Sequence, residues 1–140
     1  MKRLFIVLVL ALSAAHCGGS SPSTPTPAPA PANPLTGGWV GSATSQTIGT
    51  GAITATIVQS GTTLTGTWAV QYANAANNNS GVLTGTIIGT GVTLTLSPSV
   101  PTNCPYAVTA VLTGNTMGGS YATFNCSVGI SGGFVLSKAN

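Results

Sequence analysis

The chain of 140 residues has no aspartate and no glutamate, a single histidine and three basic residues. General acid–base catalysis draws on His, Asp, Glu or a tuned Lys or Tyr within hydrogen-bond reach of the reacting group, and almost none of that is present. Hard cations need carboxylate oxygens and zinc needs clustered His and Cys; neither set can be assembled from this sequence. No glycine string leads into a helix whose N-terminus could cradle a phosphate. The expectation is a protein that is not an enzyme and uses no cofactor and no metal.

Positive charge is nearly as scarce. Lys2 and Arg3 stand at the start and Lys138 near the end, so a chain trimmed of its first residues carries one cation and is nearly neutral. That excludes the basic footprint of a nucleic-acid binder, and it removes charge repulsion as a guard against self-association.

What is present begins with an export pattern. Two positive charges precede an uninterrupted apolar run from Leu4 to Leu12, followed by the small residues Ser13, Ala14 and Ala15. The run is too short for a spanning helix and reads as a secretory signal peptide over residues 1–16. Its end, Ala14-Ala15-His16-Cys17, resembles a bacterial lipobox, in which the Cys becomes lipid-linked and forms the new N-terminus; His16 and Ala14 depart from the residues usual there. The rival is ordinary cleavage after Ala15. Cysteine arithmetic favours the lipobox, because three Cys allow one pair and leave one over. Cys17 is the one outside the folded part, and acylation removes an otherwise exposed thiol. The resemblance implies a membrane partner through a lipid anchor and a place in the cell envelope, at the outer membrane or cell surface; cleavage after Ala15 would instead release a soluble periplasmic or secreted protein.

Residues 17–34 then form the anchor Cys and a spacer. The stretch GGSSPSTPTPAPAPANP, residues 18–34, buries nothing and favours an extended polyproline II tether.

From Leu35 to Asn140 the composition turns to Thr, Gly, Val, Ile and Leu with turn signals at regular intervals, which reads as one all-β domain, residues 35–140. Three hairpins align on one another. VQSGTTLTGTW (Val58 to Trp68) matches VLTGNTMGGSY (Val111 to Tyr121), and TIIGTGVTLTL (Thr86 to Leu96) matches TIVQSGTTLTG (Thr56 to Gly66). Pairing outward from the glycine-bearing turns puts Ile53, Ala55, Ile57, Leu64, Trp68 and Val70 on one face. The same operation groups Leu83, Ile87, Leu94 and Leu96, then Val108, Leu112, Met117 and Tyr121. The alternate positions are largely Thr, so one face is core and the other a hydroxyl-rich surface. A first strand near Gly38–Ala43 and a last near Gly132–Lys138 complete an eight-stranded antiparallel up-and-down β-barrel; a β-sandwich is the alternative. Cys104 and Cys126 fall nearly opposite each other across the Gly114-Asn115 turn and are expected to form a disulfide.

These residues resemble the calycin barrels, lipocalins and avidins. Gly37-Gly38-Trp39 matches the Gly-x-Trp of the first lipocalin strand, with Lys138 near where that family places an Arg over the Trp. LTGGW at 35–39, LTGTW at 64–68 and VLTG at 82–85 are similar to the opening strands of avidin. The resemblance implies the barrel fold and a barrel-floor cap of Lys138 on Trp39. It does not carry the biotin site: Gly41 stands for the family's Asn, Trp68 for its Tyr, the late Asp is missing, and Ser45 alone is retained.

The longer connections, 44–50, 72–80, 97–105 and 124–130, share one end, which is the expected mouth. Trp68, Tyr72, Tyr106, Tyr121 and Phe124 are the candidate ligand-binding residues there, joined by Asn74, Asn77, Asn78 and Asn79. The expected function is a non-catalytic binding module for a small apolar or sugar-like ligand or a protein partner. Two alternatives are an envelope inhibitor of a lysozyme or protease, and a structural or adhesive surface protein.

Overall fold

The computed structural model describes residues 34–127 and 129–140. The signal-peptide, Cys17 and spacer expectations fall on residues 1–33 and lie outside the described residues, as does Val128.

Eight strands run in sequence: β1 (Gly37–Ser45), β2 (Gly49–Ser60), β3 (Thr63–Tyr72), β4 (Asn79–Ile88), β5 (Gly91–Pro98), β6 (Tyr106–Thr113), β7 (Thr116–Thr123) and β8 (Ser131–Lys138). Each pairs antiparallel with its neighbour in the chain, and β8 pairs with β1, from Trp39 opposite Lys138 to Ser45 opposite Gly132. The sheet is a closed up-and-down barrel with no free edge, compatible with a calycin-like fold, and the sandwich alternative is set aside by the β1–β8 pairing.

The local causes are legible strand by strand. Val, Ile, Leu and aromatic residues alternate with Thr, and with a side-chain period of two this sends one set inward and the other to solvent. Ile57, Leu64, Leu83, Val92 and Met117 are buried, while the intervening Thr56, Thr65, Thr84, Thr93 and Thr116 are exposed. Hairpins β2–β3, β4–β5 and β6–β7 close over two residues, and Gly61, Gly89 and Gly114 take φ near +60° (59°, 60° and 57°), as such tight turns require.

The tight-turn end is sealed. Leu35, just ahead of β1, is completely buried beneath the barrel. Its N–H donates to Gln59 Oε1 at 3.1 Å, and its carbonyl accepts from Trp39 Nε1 at 2.9 Å. Gln59 in turn donates its own N–H to Thr36 Oγ1 and its side-chain amide to the Gly61 carbonyl. Lys138 Nζ donates to the Pro34 carbonyl at 2.9 Å, and the N–H of Ala139 donates to Gly38 O. The strand register brings Trp39 and Lys138 together at this floor, and the hydrogen bond of the ammonium goes to the backbone of the incoming segment. Trp39 and Lys138 thus clasp adjacent peptide carbonyls, those of Leu35 and Pro34.

Candidate functional site

The opposite end carries four connections, 46–48, 73–78, 99–105 and 124–130. Cys104 and Cys126 are joined by a disulfide, with Cα atoms 6.0 Å apart, so two of these connections are tied together at the rim.

Inside this rim four aromatic side chains meet. Trp68 and Tyr72 share the inward parity of β3, Tyr106 begins β6 and Tyr121 lies near the end of β7. Trp68 and Tyr106 meet edge to face, with ring centroids 5.7 Å apart and planes at 82°. Tyr106 and Tyr121 do the same at 5.9 Å and 73°, the arrangement that ring quadrupoles favour. Trp68 is buried, its indole N–H donating to the Val82 carbonyl at 3.2 Å, while the three tyrosines are half-buried.

Two glycines make room for this collar. Gly51 lies opposite Tyr72 across β2–β3, and a Cβ there would come within 2.8 Å of the ring. Gly132 lies opposite Tyr121 across β7–β8, and a Cβ there would stand 2.7 Å from the tyrosine oxygen and run into the Thr44 carbonyl. Each phenyl ring therefore covers a bare stretch of neighbouring strand.

The hydroxyls are organised. Tyr121 donates its one proton to Thr44 O at 3.2 Å. Burial first, then the neighbouring Tyr121 hydroxyl, and last the Tyr106 phenol push the Tyr72 phenol well above the ordinary value of 10.0. Tyr106 accepts from Asn79 Nδ2 at 3.4 Å.

Below the collar lies a cavity of about 50 Å3 lined by aliphatic core residues, among them Ile53, Val70, Leu96 and Val108, and by Ile48 and Ile130 from two mouth connections. The polar side-chain groups of its lining residues are the three tyrosine hydroxyls and the Trp68 indole N–H. Drug-sized ligands occupy roughly 300–1,000 Å3, and an engineered cavity that takes benzene measures about 150 Å3. At about a third of that, the space here takes a group smaller than benzene. No acidic or basic side chain lines it, and Lys138, the one cation among the described residues, is at the opposite end.

Of the residues expected from sequence, Trp68, Tyr72, Tyr106 and Tyr121 come together around the cavity. Phe124 does not: it follows the end of β7, its N–H is tied to the Pro105 carbonyl, and its side chain is exposed on the β7–β8 connection. Past a strand end the inward–outward alternation no longer applies. The asparagines largely serve the loop itself. Asn74 Oδ1 accepts from the N–H of Ala76, Asn78 Oδ1 from Tyr72 and Asn79 Oδ1 from Ser80. Ile48 and Ile130 were not foreseen; each is an apolar residue of a connection, Ile48 between Thr and Gly and Ile130 between Gly and Ser, with no strand period to assign it a face.

No protein-family model matches the chain, and no curated protein matches it.

Proposed function

We propose that this protein is a non-catalytic binding module of the cell envelope, carried on a lipid anchor at Cys17, whose ligand enters the tyrosine-collared mouth. The observation that carries this reading is the apolar cavity under Trp68, Tyr72, Tyr106 and Tyr121. Concave, mostly apolar sites with a few placed polar groups are the usual form of small-ligand sites, and barrel mouths are a frequent place for them. The resemblance to lipocalins and avidins supports the same end of the barrel. Pro34 is held at the floor, so the chain toward Cys17 joins the barrel at the end opposite the mouth.

The test is a screen of compact fragments by amide NMR on the domain from residue 34. Expected are shifts clustered at Tyr72, Tyr106, Tyr121 and Ile130, lost in Tyr121→Ala while the floor amides keep their positions. Fragments that shift only floor or outer-face amides would refute the mouth as the site. Membrane anchoring is tested separately, since Cys17→Ala should move the protein from the membrane to the soluble fraction.

One observation favours a second reading, a structural or adhesive surface protein. Directly paired positions Ser60, Thr63, Thr86, Thr93, Thr109 and Ser120 form a hydroxyl row across six consecutive strands, all exposed. Adsorption to a neutral polysaccharide that survives Tyr121→Ala and fails when row threonines become lysine would favour it.

A further inference from the structure

On the outside of the barrel, over β7 and β8, the sheet lies bare at two glycines that the fold does not require. Inward glycines are needed for closure: a Cβ on Gly66, Gly119 or Gly132 would stand 1.9, 2.1 or 1.8 Å from a carbonyl oxygen of another strand. Gly118 and Gly133 face outward and have no positive φ, and a Cβ on them would meet nothing closer than 3.7 and 3.6 Å, which is ordinary contact. Glycine weakens a strand interior, and it marks places where another backbone or a ligand comes close. Here it leaves a depression of about 380 Å3, bordered by Ser42 and Thr44 of β1.

Knobs stand directly beside these hollows. From β6 to β1 the register sets Val111, Gly118, Val135 and Ser42 in one row, large and small in alternation. In the next row Ser120 lies opposite Gly133. Val111 and Val135 are 55% and 54% exposed. Val58 and Val82 are as exposed, but Thr65 and Thr67 are their neighbours across the strands, so no hollow adjoins them. A row that alternates large and small is its own complement when reversed. A twofold axis running along the strands between β7 and β8 reverses it: Val135 of each copy enters the hollow over Gly118 of the other, Val111 meets Ser42, and Ser120 meets Gly133. An axis across the strands would set glycine on glycine and valine on valine. Facing sheets interdigitate side chains in this manner, and a self-complementary patch is what a symmetric dimer needs.

We infer that the outer face of β6, β7, β8 and β1 binds a second copy of this chain, side by side. Identical faces ordinarily repel through like charges; this face has no ionisable side chain, and Lys138, the one cation among the described residues, is bonded at the floor. With the axis along the strands both mouths lie at one end and both Pro34 residues at the other, so the segments ahead of Pro34 enter the two copies from the same pole, clear of the contact. The area sets the strength. Strands of 8 residues at about 3.3 Å per residue, across three spacings of about 4.8 Å, give roughly 400 Å2 per copy, half of the ~800 Å2 that a stable interface buries on each partner. The dimer is weak, with a dissociation constant of roughly 0.1–1 mM, and the contact is independent of what the mouth binds.

The experiment is sedimentation equilibrium with NMR dilution on the mature chain carrying Cys17→Ala, from about 20 μM to 1 mM, a range that brackets the expected constant. Expected are reversible dimerisation and dilution shifts at the Ser42, Val111, Gly118 and Val135 amides. Gly118→Thr, which fits the single barrel and fills the hollow, should weaken the dimer about tenfold or more without lowering the urea midpoint, and Val135→Ser, which removes the knob, should do the same to the dimer. Val58→Ser should leave it within about twofold. In a thiol redox buffer, a mixture of Ser42→Cys and Val111→Cys proteins should form the mixed covalent dimer about tenfold over either like pair. A folded protein that stays monomeric at about 1 mM, a dimer indifferent to both Gly118→Thr and Val135→Ser, dilution shifts confined to the mouth, or a statistical mixture of cross-linked products would each overturn the assignment. Monomer that pellets with phosphatidylglycerol vesicles through these same amides would also overturn it, making a membrane surface the occupant of this face.

Discussion

The two ends of this barrel each gather aromatic and polar side chains and reach opposite results. At the floor Leu35, Trp39 and Gln59 are buried, and each polar atom of the cluster named above has a partner: indole to Leu35 O, ammonium to Pro34 O, amide to Gly61 O. At the mouth four aromatic residues gather where the floor has one, yet three of the four are half-buried, and a cavity remains beneath them. The difference lies in chain length outside the strands. Two-residue turns bring little beyond the strands themselves, so a single incoming segment fills the floor, while the longer connections of the mouth stand around the opening. A buried network that is fully satisfied fixes one arrangement, and surface loops on a rigid scaffold are where binding residues collect. On the proposed function, stability belongs to the first end and recognition to the second.

The largest expected blow to that division comes from Trp39→Ala. Emptying the floor of a completely enclosed indole should cost about 3–5 kcal/mol, read as a fall in the urea midpoint. The mouth amides of the protein still folded should be unmoved. If the loss is under about 1 kcal/mol, the floor is not the stabilising end.

Replacing Cys104 and Cys126 by serine should cost about 3 kcal/mol for a closed loop of this size (sequence separation 22). Hydrogen exchange should quicken in the connections 99–105 and 124–130 and stay slow on β1 and β8. Uniform quickening would mean that the disulfide supports the whole barrel and not its rim.

Gly132→Ala should displace Tyr121 from its place over β8 and cost about 1–3 kcal/mol, the usual range for overpacking. A structure of the variant with the Tyr121 ring unmoved would contradict the account of how the collar is seated.

The smallest effect concerns alkali. The folded protein holds the Tyr72 proton above the pH at which an unfolded tyrosine, near 10.0, loses it. The unfolded state then binds fewer protons, so the stability that depends on the neutral phenol is complete below about pH 10 and declines as pH rises above it. Urea midpoints at about pH 9 and 11 should differ less in Tyr72→Phe than in the parent. An identical difference in both would remove Tyr72 from the explanation.

Much of this arrangement is legible in the residues themselves. The Thr alternation fixes which face is inward on β2 to β6, and the glycines at 61, 89 and 114 fix the turn positions, which together set the register of the three tight hairpins. Parity then puts Trp68, Tyr72, Tyr106 and Tyr121 on the inner face, and their distance from the tight turns puts them toward the mouth. It fails at Phe124, where the strand has ended and Asn125 takes a positive φ of 56° that turns the chain. Leu35 is harder to foresee, since one apolar residue after a proline-rich stretch has no period to assign it a face. The partner of Lys138 is hidden for the same reason: an ammonium has three donors, and a backbone carbonyl of an aperiodic segment is as good an acceptor as any.

The hydrogen bonds of Lys138 to Pro34 and of Ala139 to Gly38 bring the two described chain ends together beneath the barrel. Closeness of this kind makes circular permutation feasible, because a short linker from Asn140 back to Leu35 would span little distance. New ends opened within a tight turn, at Gly89-Thr90 for example, would still lie at the same pole and leave the tyrosine collar clear. The point at which the chain leaves the floor could in this way be moved around the barrel circumference, turning a fixed attachment into an adjustable one.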